Sequence, residues 1–137
     1  MTPLRALGKN GSEPGGQLSD TDGLRKDPVL EVETNGSACV VKLAGEIDLY
    51  NAPQVRTALA QACADSPERV VVDLSEVEFI DSTGLGVLIE ARRQLRNNKA
   101  FLLAAPGLET RRALEISGLD RHFNVHDSLP EALGATI

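Results

Sequence analysis

Asp81-Ser82-Thr83-Gly84 sets two hydroxyls beside a carboxylate, where an apolar strand-like run gives way to a helical pattern. Three kinds of chemistry use residues of these types. An aspartic protease needs two carboxylates sharing a proton, each in an Asp-Thr/Ser-Gly turn. Here an extra residue separates Asp81 from Gly84 and the surrounding pattern is helical rather than all-β, which excludes that chemistry. A phosphate-binding loop would use the helix N-terminus. However, no Gly-Lys-Ser/Thr is present, Gly84-Leu85-Gly86 lacks the third glycine of a dinucleotide site, and Asp81 would repel phosphate. The third chemistry is acceptance of a modifying group on a docking surface. Ser82 has no histidine nearby in sequence to activate it, since His122 and His126 belong to the last strand region and read as ordinary surface residues. It can therefore be modified without being a nucleophile itself.

A serine at a strand-to-helix junction also has a structural use, as an N-cap accepting a backbone N–H of the first turn. A cap accounts for Ser82 but not for Gly84 and Gly86, each of which weakens a helix by about 1 kcal/mol relative to alanine. A flat helix start is what those glycines would provide, letting a partner's backbone or active site approach Ser82 and Thr83.

The elements that must hold this junction are legible in the periodicities. Val29–Thr34 and Ala38–Ala44 are strand-like runs around Asn35-Gly36, a hairpin signal. Gly45–Tyr50 reads as a connection. Asn51 then caps a helix with Gln54 three residues on, Pro53 in its first turn and an apolar stripe of Val55, Leu59 and Ala62. Val70–Leu74 is a continuous apolar run, as in a strand covered on both faces, and Ser75–Glu78 is an acidic stretch leading to the junction. The helix after it places Leu85, Leu88, Ile89, Arg92 and Leu95 at core spacing and stops at Asn97-Asn98. Lys99–Ala104 is a further strand and Leu108–Ser117 a helix ended by Gly118, with Leu119 set to pack on Leu114. Phe123–His126 is a short strand, and Ser128-Leu129-Pro130-Glu131 opens a last helix with a capping box. Strands alternating with helices after a hairpin imply an α/β fold with a mixed sheet of about four to five strands and about four α-helices.

Composition narrows the function classes. The 137 residues carry a net charge of -6 and 3% aromatics. An acidic chain with few rings repels a phosphate backbone and offers bases little to stack on, so nucleic acid is excluded as a partner. No apolar run reaches membrane-spanning length, and no apolar segment follows Arg5, so neither membrane insertion nor a secretory signal is expected. Cys39 and Cys63 suit neither a disulfide framework nor a metal site, and read as reduced thiols of a cytoplasmic protein. No metal, cofactor-binding or catalytic residue is assigned, and the chain is expected not to be an enzyme. Residues 1–28, rich in Gly, Ser, Pro and Asp, read as a flexible tail preceding one domain over residues 29–137. The basic residues Arg92, Arg93, Arg96 and Lys99 read as complement to a helix C-terminus, and Arg111 and Arg112 as a solvated face.

Asp73-Leu74-Ser75 leading into Phe79-Ile80-Asp81-Ser82-Thr83-Gly84-Leu85-Gly86 resembles the signature of the STAS domain of bacterial anti-sigma-factor antagonists. Gly45-Glu46-Ile47-Asp48, and Arg112 with Ser117-Gly118-Leu119, agree with it, and the similarity spans about residues 29–135. The resemblance implies a STAS-like fold and a partner-switching role. Such a protein binds an anti-sigma factor that is also a serine kinase, which frees a sigma factor. Phosphorylation then weakens the complex and a serine phosphatase restores it. Matched position by position, the acceptor is Ser82. Asp48, Asp81, Thr83, Gly84, Leu85 and Gly86 are implied as partner-binding residues, on a protein that needs no cofactor of its own and is expected to be a monomer. Glu76, Glu78, Asp81 and Asp48 would make this edge acidic, so the partner surface should be basic. The competing expectation is a STAS-domain regulatory subunit of a stress-signalling complex or a membrane transporter, binding without regard to Ser82 phosphorylation.

Overall fold

A computed structural model describes residues 27–137; the expectation for the tail concerns residues 1–28 and so lies almost wholly outside that range. The chain runs β1 (Val29–Asn35), β2 (Ala38–Ile47), α1 (Ala52–Ala64), β3 (Arg69–Ile80) and α2 (Ser82–Arg93). It continues through a 3-10 turn (Asn98–Ala100), β4 (Phe101–Ala104), α3 (Leu108–Ser117), a second 3-10 turn (Leu119–Arg121), β5 (Asn124–His126) and α4 (Leu129–Gly134). The five strands form one sheet in sequence order; β1 is antiparallel to β2, and the remaining neighbours are parallel. The expected α/β class, opening hairpin and mixed sheet are therefore present.

The apolar run at β3 behaves as its composition requires. Val70, Val72 and Leu74 join Val41, Leu43 and Leu103 under α1, α2 and α3, where Val55, Leu59, Leu88 and Leu114 meet them. Val71 alternates to the other face, with Val40, Leu102 and Ala104, and is covered by Leu129, Ala132 and Leu133 around α4. Two-sided cover is why this strand has no polar alternation.

Two local readings are corrected. The hairpin loop is Gly36-Ser37 rather than Asn35-Gly36, because Asn35 pairs with Ala38 and only Gly36 of the two loop residues takes a positive φ, 63°. The strands are longer than expected: β3 runs beyond Leu74 through the acidic stretch Ser75–Glu78 to Ile80, and β2 takes Gly45–Ile47 out of the expected connection. Two register shifts permit this, since Asp73 to Glu76 on β3 opposes Lys42 to Ala44 on β2, and Val77 to Phe79 opposes Gly45 to Glu46. Each is a bulge with one extra residue on β3, and Gly45 between them takes φ 77°, which suits glycine. The C-terminal punctuation of α3 is as read, with Gly118 left-handed at φ 77°, but the Leu119 N–H donates to the Ser117 hydroxyl (3.4 Å).

Cys39 is half-buried and Cys63 buried, and both are free thiols. Burial pushes both thiols above their ordinary pKa, with Asp65 adding to the effect at Cys39 and Cys39 adding to it at Cys63. A raised pKa means less thiolate, the reactive form. At pH 8 both should alkylate with iodoacetamide more slowly than in the urea-unfolded chain, with Cys63 the slower; peptide mass spectrometry of a time course checks the order.

Candidate functional site

The bulges decide what meets at the end of the sheet. Beyond the second one, Glu46 faces Phe79 and Ile47 faces Ile80, the former pair exposed and the latter buried. The Asp81 N–H donates to the Ile47 carbonyl (3.1 Å), so the entry to α2 leaves the sheet alongside the loop that follows β2. That loop carries Asp48, which places it at the same edge as Asp81 and Ser82.

The loop is fastened by its own side chains. Asn51, expected as a side-chain cap for α1, makes no capping bond. Its side chain turns back instead: Oδ1 accepts from the Asp48 N–H (2.8 Å) and Nδ2 donates to the Glu46 carbonyl (2.7 Å). Asp48 Oδ1 in turn accepts from the Tyr50 and Asn51 N–H groups, at 3.0 and 3.2 Å. Asn51 is buried, so its bonds hold the loop from within. Asn51→Ala should lower the unfolding free energy by about 1–2 kcal/mol, as expected for stranding buried backbone groups. It should also quicken amide exchange at Asp48 more than elsewhere, which hydrogen-exchange mass spectrometry measures.

At the start of α2 the cap is Asp81, not Ser82. Asp81 is extended, at φ -93° and ψ -177°, and its Oδ1 accepts from the Gly84 N–H (3.0 Å). Ser82 is the first helical residue, is exposed, and its hydroxyl makes no hydrogen bond among the described residues. The structural duty expected of Ser82 thus belongs to its neighbour. Its hydroxyl points out at the positive end of the helix dipole, free for chemistry that adds negative charge.

The glycines separate. Gly84 is buried, and a Cβ there would lie 2.7 Å from Ile80 Cγ1 and 2.9 Å from Ile47 Cγ2. Both atoms belong to β-branched side chains held in the sheet, so Gly84 is required by the packing of α2 onto β2 and β3. The flat-surface explanation is corrected at that position. Gly86 is exposed, and a Cβ there would meet nothing within 4 Å. No contact among the described residues calls for glycine at 86. Leu85 is also buried, so of the expected docking residues Asp48, Asp81, Ser82, Thr83 and Gly86 reach the surface, while Gly84 and Leu85 lie beneath it.

Apolar residues missed in the sequence border this patch. Leu49 is 62% exposed, Tyr50 80% and Phe79 48%, from the loop and from β3. The signal existed: a Leu-Tyr pair in a connection and a Phe within an acidic stretch have no core to enter. Around them Glu46, Glu76 and Glu78 are exposed. The arrangement is a surface with apolar anchors, a carboxylate rim and the exposed Ser82 hydroxyl, suited to docking a protein. His126 lies in β5, two strands from β3 and roughly 10 Å across the sheet, too far to serve Ser82 as a base. Among the described residues no His/Cys/Asp/Glu group could hold a metal ion, and no helix is long and apolar enough to cross a membrane.

The family model of the STAS domain matches residues 29–132. The anti-sigma-F factor antagonist RsfB of Mycobacterium tuberculosis is 37% identical over 105 residues, covering 77% of this chain and 85% of that protein. An anti-sigma-B factor antagonist of Listeria monocytogenes is 43% identical over 79 residues, 56% of this chain and 68% of that protein. Among solved structures, an anti-sigma factor antagonist from Mycobacterium paratuberculosis superposes with a TM-score of 0.71 at 39% identity, over 75% of this chain and 88% of that one.

Proposed function

This chain belongs to the STAS domain family, and on that premise we propose that it is an anti-sigma-factor antagonist switched off by phosphorylation of Ser82. It binds an anti-sigma factor with serine kinase activity, which frees a sigma factor; a serine phosphatase reverses the modification. It works as a monomer in the cytoplasm, where RNA polymerase is, and the ATP and magnesium of the reaction belong to the kinase.

The observation that carries this reading is the position of Ser82: exposed, relieved of capping by Asp81, and set between the Asp48 loop and the exposed Gly86. Phosphorylation adds roughly -1.5 to -2 charge, and a helix N-terminus favours negative charge by about 0.3–1 kcal/mol, so the modified chain stays folded. The same group inserted into a close contact is desolvated and clashes, and the neighbouring carboxylates already repel it. The switch is a local change to a binding surface and requires no change of fold.

A pull-down from source-cell lysate with wild-type, Ser82→Ala and Ser82→Asp baits tests this reading. Retention of a small ATP-binding serine kinase by Ser82→Ala and its loss from Ser82→Asp is the expected result. Equal capture by all baits would sink the phospho-switch, and a transporter or stress complex among the captured proteins would put the chain in that assembly instead.

A further inference from the structure

We propose that the cleft between the C-terminal half of α2 and the second 3-10 turn binds a small organic phosphate monoester, a function separate from the Ser82 surface. The cleft has a volume of about 260 Å³ and is lined by Ile89, Arg92, Arg93, Leu119, His122 and Phe123. It therefore joins two elements, with an apolar floor from both and three nitrogen-bearing side chains at its rim.

Two guanidiniums and an imidazole line this one cleft; Lys42, Arg96, Lys99 and Arg121 elsewhere also make no ion pair among the described residues, so it is the convergence on a cavity that sets the rim apart. The net charge is -6, and carboxylates are abundant enough to pair Arg56 with Glu90, Arg111 with Asp127 and Arg112 with Glu109. Arg92, Arg93 and His122 have no ion pair or side-chain hydrogen bond among the described residues, although Asp120 stands two positions from His122. Complementing the helix dipole accounts for cations in the last turn of α2. It does not account for a cavity between them, nor for an imidazole brought to its edge by a different element.

The dimensions select the ligand. Pockets for drug-sized molecules start at about 300 Å³, so this cleft suits a smaller molecule. Two guanidinium groups match a dianionic phosphate in charge and offer forked donors to its oxygens. Ile89, Leu119 and Phe123 leave room for a short apolar or planar body, not for phosphate alone. The cleft lies about 15 Å along α2 from Ser82, at 1.5 Å per residue, so occupancy there does not require the partner surface.

Backbone amide NMR of the full chain, titrated at constant ionic strength with phenyl phosphate and separately with inorganic phosphate, tests the assignment. Saturable shifts are expected at residues 89–93 and 119–123, with phenyl phosphate binding about tenfold more tightly than inorganic phosphate because only it reaches the floor. The Arg92→Gln/Arg93→Gln variant should weaken phenyl phosphate by about tenfold or more while its remaining spectrum superimposes on wild type. If that variant unfolds, Arg93→Gln alone, at an exposed position, replaces it with a smaller loss of the same sign. Absence of saturable shifts, shifts that persist unchanged in the variants, or equal affinity for the two probes would each overturn the proposal.

Discussion

Ser82→Asp is expected to reduce affinity for the anti-sigma factor at least about a hundredfold, roughly 2.8 kcal/mol at about 1.4 kcal/mol per decade, while leaving the fold as stable as wild type or slightly more so. The opposite signs follow from one position. Ser82 is the first residue of α2, where a carboxylate gains about 0.3–1 kcal/mol from the helix dipole. Its side chain is exposed and makes no hydrogen bond among the described residues, so the substitution breaks no hydrogen bond there. In the complex the same carboxylate is stripped of water beside Asp81 and the Asp48 loop, with no partner arranged for it. Ser82→Ala, which adds no charge, should keep both stability and affinity. Thermal denaturation and a binding titration on the same preparations check the pair. A Ser82→Asp protein that binds as wild type does would remove Ser82 from the interface.

Gly84→Val and Gly86→Ala should act in opposite directions on stability, though both replace a glycine in the first two turns of one helix. At Gly84 a Cβ already falls within 3 Å of Ile80 and Ile47, and a valine adds two methyls to that contact. Overpacking of this kind costs about 1–3 kcal/mol, and the better helix propensity, under about 1 kcal/mol, offsets part of it. A net loss of about 2 kcal/mol is expected, a fall in Tm of roughly 8 °C. Gly86→Ala meets no neighbour within 4 Å and should gain about 1 kcal/mol from propensity. Its effect belongs to the complex, where the added methyl should weaken binding by about tenfold. A Gly86→Ala variant that is more stable and binds equally well would leave that glycine without a docking role.

The difference between those glycines shows what was legible and what was not. The apolar stripe of α1, the covered run Val70-Val71-Val72, Gly118 and the Ser128 cap are local patterns that survive translation into structure. Gly84 answers to Ile47, thirty-seven positions away, and no local pattern encodes that contact. The same holds for β3: the sequence shows the strand only as far as Leu74, because the bulges that carry it through its acidic half exist only relative to β2. Ser82 and Asp81 compete for the same capping role within one residue, and the extended backbone at Asp81 decides it. Asn51 could serve its helix or its loop, and the Asp48 turn takes it. The junction itself was visible from residue types alone. Its apolar border of Leu49, Tyr50 and Phe79 carried a signal in composition, and the fold adds that the core leaves all three outside.

The most direct measurement is calorimetric titration of the captured anti-sigma factor with this protein in its unmodified form and in its Ser82-phosphorylated form. The unmodified protein should bind at least about a hundredfold more tightly, with both forms giving the same far-ultraviolet circular dichroism. Equal affinities, or a phosphorylated form that has lost its fold, would contradict a switch that acts by editing the docking surface.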